Sequence, residues 1–335
     1  MTTLHLPARK PFSFISVINS HGWRQLAPFT YAESTHTLGY TLRLSSARVI
    51  ELKLRDGKDG LSIETDKLNK IEQKEVTDAV NWMFGLDMDF SDFYTASRHE
   101  PKLVRAKKQA LGRVLRSPTL FEDVVKTIFT TNTLWGAIKN MTRKLVDEFG
   151  AQINSAGRVV SSDSETRTET KSFPTPGSIA ASNPDFIQEK IRVGYRASAI
   201  HDLAVRVASG KYDLEALKTS ALPSLELRKE LMTIKGVGPY AAANLLLILG
   251  RSDFIPIDSW ALKLVSHEWY KGKPITAKEV GKRFERWGSI KVSPSGFGIG
   301  NIMEVKCTSI ISSHWQVRKS LPSVSHAMEL SDYCC

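Results

Sequence analysis

The sequence predicts an α+β protein: an antiparallel β-rich segment over residues 1–70, a mostly α-helical region over residues 71–290, and a tail over residues 291–335. Three observations predict it. Between residues 12 and 65, short runs alternate apolar with polar side chains and are broken by turn formers, the period of strands with one wet face. From Ile71 the apolar period becomes helical. After residue 290 the chain carries Ser, Pro and Gly without either period, so the last segment reads as divergent and poorly ordered.

The four expected strands are Phe12–Val17, Gly22–Leu26, Leu38–Leu44 and Arg48–Leu54. Val76, Val80, Trp82 and Met83 then define a helix that Gly85 stops. Arg98 to Arg116 holds seven Lys or Arg against one Glu. Such a run suits a phosphate-facing stripe or, as the default, a solvated helix face. Phe121, Val124, Val125, Ile128 and Phe129 fall at i, i+3, i+4, i+7 and i+8, so their helix is core. Thr130-Thr-Asn-Thr breaks the pattern, and a second helix follows from Leu134 through Phe149. Residues 151–172 are rich in Ser and Thr with no period, and read as a mobile insertion in the helical region. Thr175-Pro176 and Asn183-Pro184 each place a capping residue before a proline suited to a first helical turn. Arg192-Val-Gly-Tyr-Arg-Ala reads as a glycine stop and a new helix start.

The densest signal is LMTIKGVGPYAAANLLLILGRSDFIPIDSWALKL, residues 231–264. Gly236 and Gly238 flank Val237 where the chain turns, and glycine reaches positive φ without strain. Pro239 opens a helix that is apolar on nearly every side and belongs inside a domain. The amides of Gly238, Tyr240 and Ala241 would then point from its N-terminus, where an anion is favoured. Asp258 precedes another apolar run and fits an N-cap, a functional carboxylate or both. Thr276-Ala-Lys-Glu279 is a capping box that opens a helix reaching Trp287.

Lys and Arg outnumber Asp and Glu by 46 to 35, with a pI of about 9.5, which suits a polyanionic partner. No apolar stretch is long enough to span a bilayer, and the N-terminus lacks a signal core. The three cysteines, Cys307, Cys334 and Cys335, all lie near the C-terminus, which argues against a disulfide framework and for an intracellular protein. They are also too few for a four-cysteine iron–sulfur cluster. No cofactor and no metal site are expected.

The pattern L-x-x-I-K-G-V-G-P-Y-A, with Asp258 eighteen residues after Tyr240 in I-P-I-D-S-W-A, resembles the helix-hairpin-helix (HhH-GPD) DNA glycosylases, among them 3-methyladenine glycosylase II and 8-oxoguanine glycosylase. The resemblance implies an N-terminal antiparallel domain like half of a TATA-binding protein, preceding the helices. It implies a monomer that binds double-stranded DNA, flips a damaged base and hydrolyses its N-glycosidic bond, in the nucleus of a eukaryote or the cytoplasm of a bacterium. Gly236, Val237, Gly238, Tyr240 and Ala241 inherit the DNA-binding hairpin, and Asp258 the catalytic carboxylate. Positive charge builds on the sugar as the bond lengthens, and a fixed carboxylate beside it stabilises the transition state more than the ground state. Asn132 inherits the role of filling the hole left by the flipped base, unless it is only a helix cap. Tyr195 and Arg196, in the G-Y-R-A motif, inherit a wedge and a contact to the orphaned base. Tyr240 and Trp260 are aromatic candidates for the base pocket, or for packing.

Bifunctional relatives carry a lysine two residues after the second glycine of the hairpin, whose amine forms a Schiff base. Tyr240 stands at that place, and Lys235 precedes the turn and is expected to face elsewhere. Hydrolysis without strand cleavage is therefore expected, with an alkylated purine as the favoured substrate and an oxidised or mispaired base as the alternative. A non-catalytic DNA-binding module is the remaining reading, because the resemblance ends after Trp287.

Overall fold

The computed structural model describes residues 1–101, 103–153, 171–254, 256–257 and 259–285, with backbone only at 259, 260, 264, 284 and 285. Five strands, β1 (Thr2–Pro7), β2 (Phe29–Ala32), β3 (Thr37–Arg43), β4 (Val49–Asp56) and β5 (Gly60–Thr65), form one antiparallel sheet in the order β1-β5-β4-β3-β2. Leu38, Tyr40 and Leu42 of β3 pair with Leu54, Leu52 and Ile50 of β4, so both strands turn the same apolar set inward.

Two of the four expected strands are not strands. Phe14–Ile18 is a short helix, α1, because Phe14, Val17 and Ile18 all point into the core at helical spacing and Ser13 caps it by accepting from the Ser16 amide. Gly22–Gln25 is a 3₁₀ turn that buries Trp23. The sheet is completed instead by β2, beside β3, and by β1 and β5, with Leu4 facing Ile63 and Leu6 facing Leu61 across the last pair.

The helices follow the sequence closely. α2 (Lys70–Phe84) opens on an Asn69–Glu72 capping box and ends where Gly85 takes the left-handed conformation at φ 56°. After α3 (Ser91–Ser97), the basic run to Arg116 is a series of turns and not a helix. Arg98, Arg105, Lys107 and Lys108 are exposed, but Arg113 and Arg116 are buried. Arg113 donates to the carbonyls of Gly85, Pro11, Arg9 and Met88 and so ties its own segment to two others, residues 9–11 and 85–88. Its charge is consumed by backbone oxygens within the protein.

α4 (Leu120–Thr130) is buried along almost its whole length, and α5 (Trp135–Phe149) turns Ile138, Met141, Leu145 and Val146 inward. The proposed insertion lies outside the described residues over 154–170, and at its root Gln152 bridges to Lys171. α6 (Pro176–Ala180) and α7 (Pro184–Ile191) begin at Thr175 and Asn183 as expected, each cap accepting from a backbone amide. α8 (Arg196–Ala208) and α9 (Ser224–Leu231) precede α10 (Pro239–Ile248), which is buried on all sides and packs on α4 and α9. α11 (Ser259–Tyr270) and α12 (Ala277–Glu285) end the described chain, with the Thr276–Glu279 capping box in place. The tail over 291–335, with all three cysteines, lies outside the described residues.

One apolar core runs from the sheet through α2, α4, α5, α8 and α10. At the joint between sheet and helices sits a buried polar group of residues. Lys126 and Glu122 of α4 form a fully buried ion pair at 2.6 Å, Tyr40 of β3 donates to Glu122 at 2.6 Å, and Trp23 donates to Asp123 at 2.7 Å. Burial raises the Asp123 carboxyl to about 7, even though Ser117 and Trp23 donate to it. Every member is bonded, as buried charge requires.

Candidate functional site

The hairpin is built around Gly236, whose φ of 86° is strained for any residue with a side chain. A Cβ at this position would lie 3.2 Å from Ala199 Cβ of α8 and 3.5 Å from Ile128 Cγ2 of α4. The turn is thus seated where the end of α4 meets the start of α8. Gly238 differs from the expectation: it is extended, at φ −89° and ψ −174°, and a Cβ on it would meet nothing within 4 Å. Its value is openness toward solvent rather than positive φ.

Pro239 occupies the first turn of α10, and Ala242 donates to the Gly238 carbonyl at 2.9 Å to begin the ladder. The amides of Gly238 and Ala241 precede that first bond, so the N-terminal end of α10 offers donors and a positive dipole end to an anion. This end opens on a cleft of about 950 Å³. Residues 232–241 form one wall, Thr130–Thr133 and Tyr195 the other, and Ile257 a corner.

The structure therefore brings together the hairpin and two of the three expected wedge residues. Asn132 stands exposed in the left-handed region at φ 48°. It is not a cap: Thr131 is the C-cap of α4, and Leu134 is the N-cap of α5, without a side-chain bond. Its neighbours bond inward. Thr130 donates to Thr127 O, Thr131 to Ile128 O and Thr133 to Thr131 O, whereas no hydrogen bond among the described residues holds the Asn132 side chain. Tyr195 is 63% exposed, with its hydroxyl 3.3 Å from Thr131 Oγ1.

Arg196 departs from the role that the resemblance implies. It is only 7% exposed, and its guanidinium donates to backbone carbonyls beneath the loop instead of pointing at the cleft. Asp258 lies outside the described residues; its neighbour Ile257 lines the cleft. Trp260 lies in the first turn of α11. Lys235 also differs from the expectation, since it is exposed and lines the same cleft as Tyr240. Sequence reasoning also missed Met232 and Thr233, whose only signal was their place in the last turn before the hairpin.

Among the described residues, no cluster of His, Cys, Asp or Glu could hold a metal ion, and no helix is long and apolar enough to cross a membrane. No family model matches the chain. The fold matches the solved structure of a 3-methyladenine DNA-glycosylase from Archaeoglobus fulgidus with a TM-score of 0.68 at 18% identity, over 90% of this chain and 97% of that one. The fold is that of the DNA glycosylases.

An 8-oxoguanine glycosylase/lyase from Clostridium acetobutylicum, solved with double-stranded DNA containing cytosine opposite 8-oxoG, shares the glycosylase fold with a TM-score of 0.62 at 20% identity, over 87% of this chain and 90% of that one. In sequence the chain is similar to a DNA-3-methyladenine glycosylase from Bacillus subtilis, 24% identical over 193 residues, 57% of this chain and 60% of the relative. The chain spans less than two thirds of the length of the curated glycosylase relatives it matches.

Proposed function

We propose that this chain is a monofunctional DNA glycosylase of base excision repair, which flips an alkylated purine from double-stranded DNA and hydrolyses its N-glycosidic bond. The observation that carries the reading is the cleft. It sets an amide-lined hairpin at the N-terminal end of α10 opposite an exposed asparagine and an exposed tyrosine, and it reaches Ile257, the residue before Asp258. Hairpin amides suit the DNA backbone, and Asn132 and Tyr195 suit the gap that a flipped base leaves. Unstacking a base costs a few kcal/mol, which filling that gap and gripping the phosphates offset. Asp258 supplies the carboxylate for the charge that develops on the sugar. The names of the similar glycosylases, and the glycosylase fold itself, support the same class of reaction.

Tyr240 at the position of the family's lysine favours hydrolysis over Schiff-base chemistry, because a phenol cannot form that adduct. A second reading is a glycosylase for an oxidised or mispaired base. It is favoured by Asn132 and Tyr195 on one wall of the cleft, since both match the 8-oxoguanine branch of the resemblance.

An excision assay on duplexes carrying alkylated purines, hypoxanthine, 8-oxoguanine and mispairs tests these readings. Release of alkylated purines is expected, with loss of about 10² or more in Asp258→Asn. Release of 8-oxoguanine or a mispaired base alone would favour the second reading. Tight duplex binding with no release of any base would leave only a DNA-binding module.

A further inference from the structure

We infer that Arg196 is a positioning residue, which locks the Thr130–Thr133 loop to Tyr195 so that the two halves of the wedge move as one body. The inference rests on the proposed function for its meaning on DNA, and on geometry alone for the lock itself. A guanidinium carries five N–H donors in a rigid fork. In Arg196, Nε donates to Ile128 O at 3.2 Å, Nη1 donates to Val193 O at 3.2 Å, and Nη2 donates to both Thr131 O and Thr133 Oγ1. Its plane lies over the Tyr195 ring, 4.6 Å from the centroid.

Two of these acceptors flank Asn132 directly, and a third is in the last turn of α4. Ile128 O already accepts from the Thr131 amide and the Thr131 hydroxyl, so the cation completes the C-terminal cap of α4, where positive charge meets the negative end of the dipole. Among the described residues no carboxylate pairs with Arg196. Its charge is held by carbonyl dipoles, which fixes its position more narrowly than a single ion pair would.

The consequence concerns Asn132. Asn132 is left-handed at φ 48°, a conformation that asparagine tolerates better than most residues with a side chain but that still competes with helical and extended backbone, so its neighbours decide whether it is kept. The residues on either side of Asn132 are the ones that Arg196 grips. Tyr195 is held from below by the same guanidinium and from the side by Thr131 Oγ1. Arg196 thus acts on DNA through Asn132 and Tyr195, without touching the orphaned base.

The test uses the full chain with Arg196→Lys, Asn132→Ala and the double variant. Lysine keeps the charge and loses the fork. In the free protein, exchange of the Thr131 amide, which donates to Ile128 O, is expected to quicken about tenfold or more in Arg196→Lys, because the local opening loses its clamp. On DNA, the excision kcat is expected to fall roughly tenfold or more, to the same extent whichever of the four bases stands opposite the lesion, since displacement of a positioned group is costly. Asn132→Ala is expected to cost much less in the Arg196→Lys background than in the parent. A loss confined to one opposing base would instead make Arg196 a base contact, and additive losses would make it a purely structural residue. Unchanged exchange would also overturn the inference.

Should Arg196→Lys fail to fold, Thr133→Val removes one acceptor of the fork and leaves the charge in place. It is expected to quicken exchange of the same Thr131 amide, and no change there would overturn the lock. Quickened exchange in a chain that excises no base would overturn the glycosylase reading and leave the lock standing.

Discussion

The two glycines of the hairpin are predicted to fail in opposite ways. Gly236→Ala places a methyl at φ 86°, where a left-handed backbone costs a residue with a side chain about 1–2 kcal/mol. It also drives that methyl to 3.2 Å from Ala199 Cβ and 3.5 Å from Ile128 Cγ2, both in a packed core that can yield little. Stiffening of the unfolded chain returns about 0.4–1 kcal/mol. The net expectation is a loss of about 1–2 kcal/mol. Gly238→Ala carries neither penalty, since its backbone is extended and its Cβ would meet nothing within 4 Å. Its stability should stay within about 0.5 kcal/mol of the parent. Urea unfolding followed by tryptophan fluorescence measures both. Binding reverses the order of interest: Gly238→Val, with a branched side chain at the mouth of the cleft, should weaken binding to damaged and undamaged duplex alike. Equal stability loss at the two glycines would refute the assigned backbone roles. Undiminished duplex binding by a folded Gly238→Val protein would remove the hairpin from the interface.

Two further predictions concern groups of different depth. Borohydride added during turnover is expected to trap no protein–DNA adduct if, as the resemblance implies, Tyr240 stands where bifunctional glycosylases carry a lysine; an adduct that disappears in Lys235→Ala would identify the exposed amine on the cleft wall as a nucleophile. Asp123, with its folded pKa raised to about 7 against an unfolded value near 3.9, binds a proton in the fold that it does not bind unfolded. Its contribution is full below about pH 4 and is lost as pH rises through about 7. The stability advantage of the parent over Asp123→Asn should therefore shrink by on the order of 3 kcal/mol between pH 4 and pH 7, and parallel stability curves would refute the raised pKa.

The sequence made the helical half readable where a helix carries its own punctuation. Thr175 before Pro176 and Asn183 before Pro184 mark starts by local hydrogen bonding, which tertiary contacts did not alter. The strands were harder. Over five residues, Phe14, Val17 and Ile18 fit a helical face as well as a broken alternation, and only the Ser13 cap decides between them. Arg113 and Arg116 could not be separated from the exposed cations around them, because the carbonyls that hold them come from residues distant in sequence. In the cleft, the hairpin, Asn132 and Tyr195 were legible as motifs. The inward turn of Arg196 was not, since three of the four acceptors that draw it belong to residues 128–133, more than sixty positions earlier.

The buried pair at the sheet–helix joint has a consequence for dividing the chain. Lys126 and Glu122 belong to α4, but the hydroxyl that completes Glu122 is on β3, and the ring of Phe29 on β2 lies 4.7 Å from the Lys126 ammonium. Cutting near residue 70 would strip those partners away and expose one side of the ion pair together with the apolar wall around it. The apparent border between a β half and an α half is therefore a change of local pattern, not a seam in cooperativity. Unfolding should break both halves in one transition, and because α4 ends in the Asn132 loop, anything that loosens the sheet should also shift that loop at the opposite end of the helix.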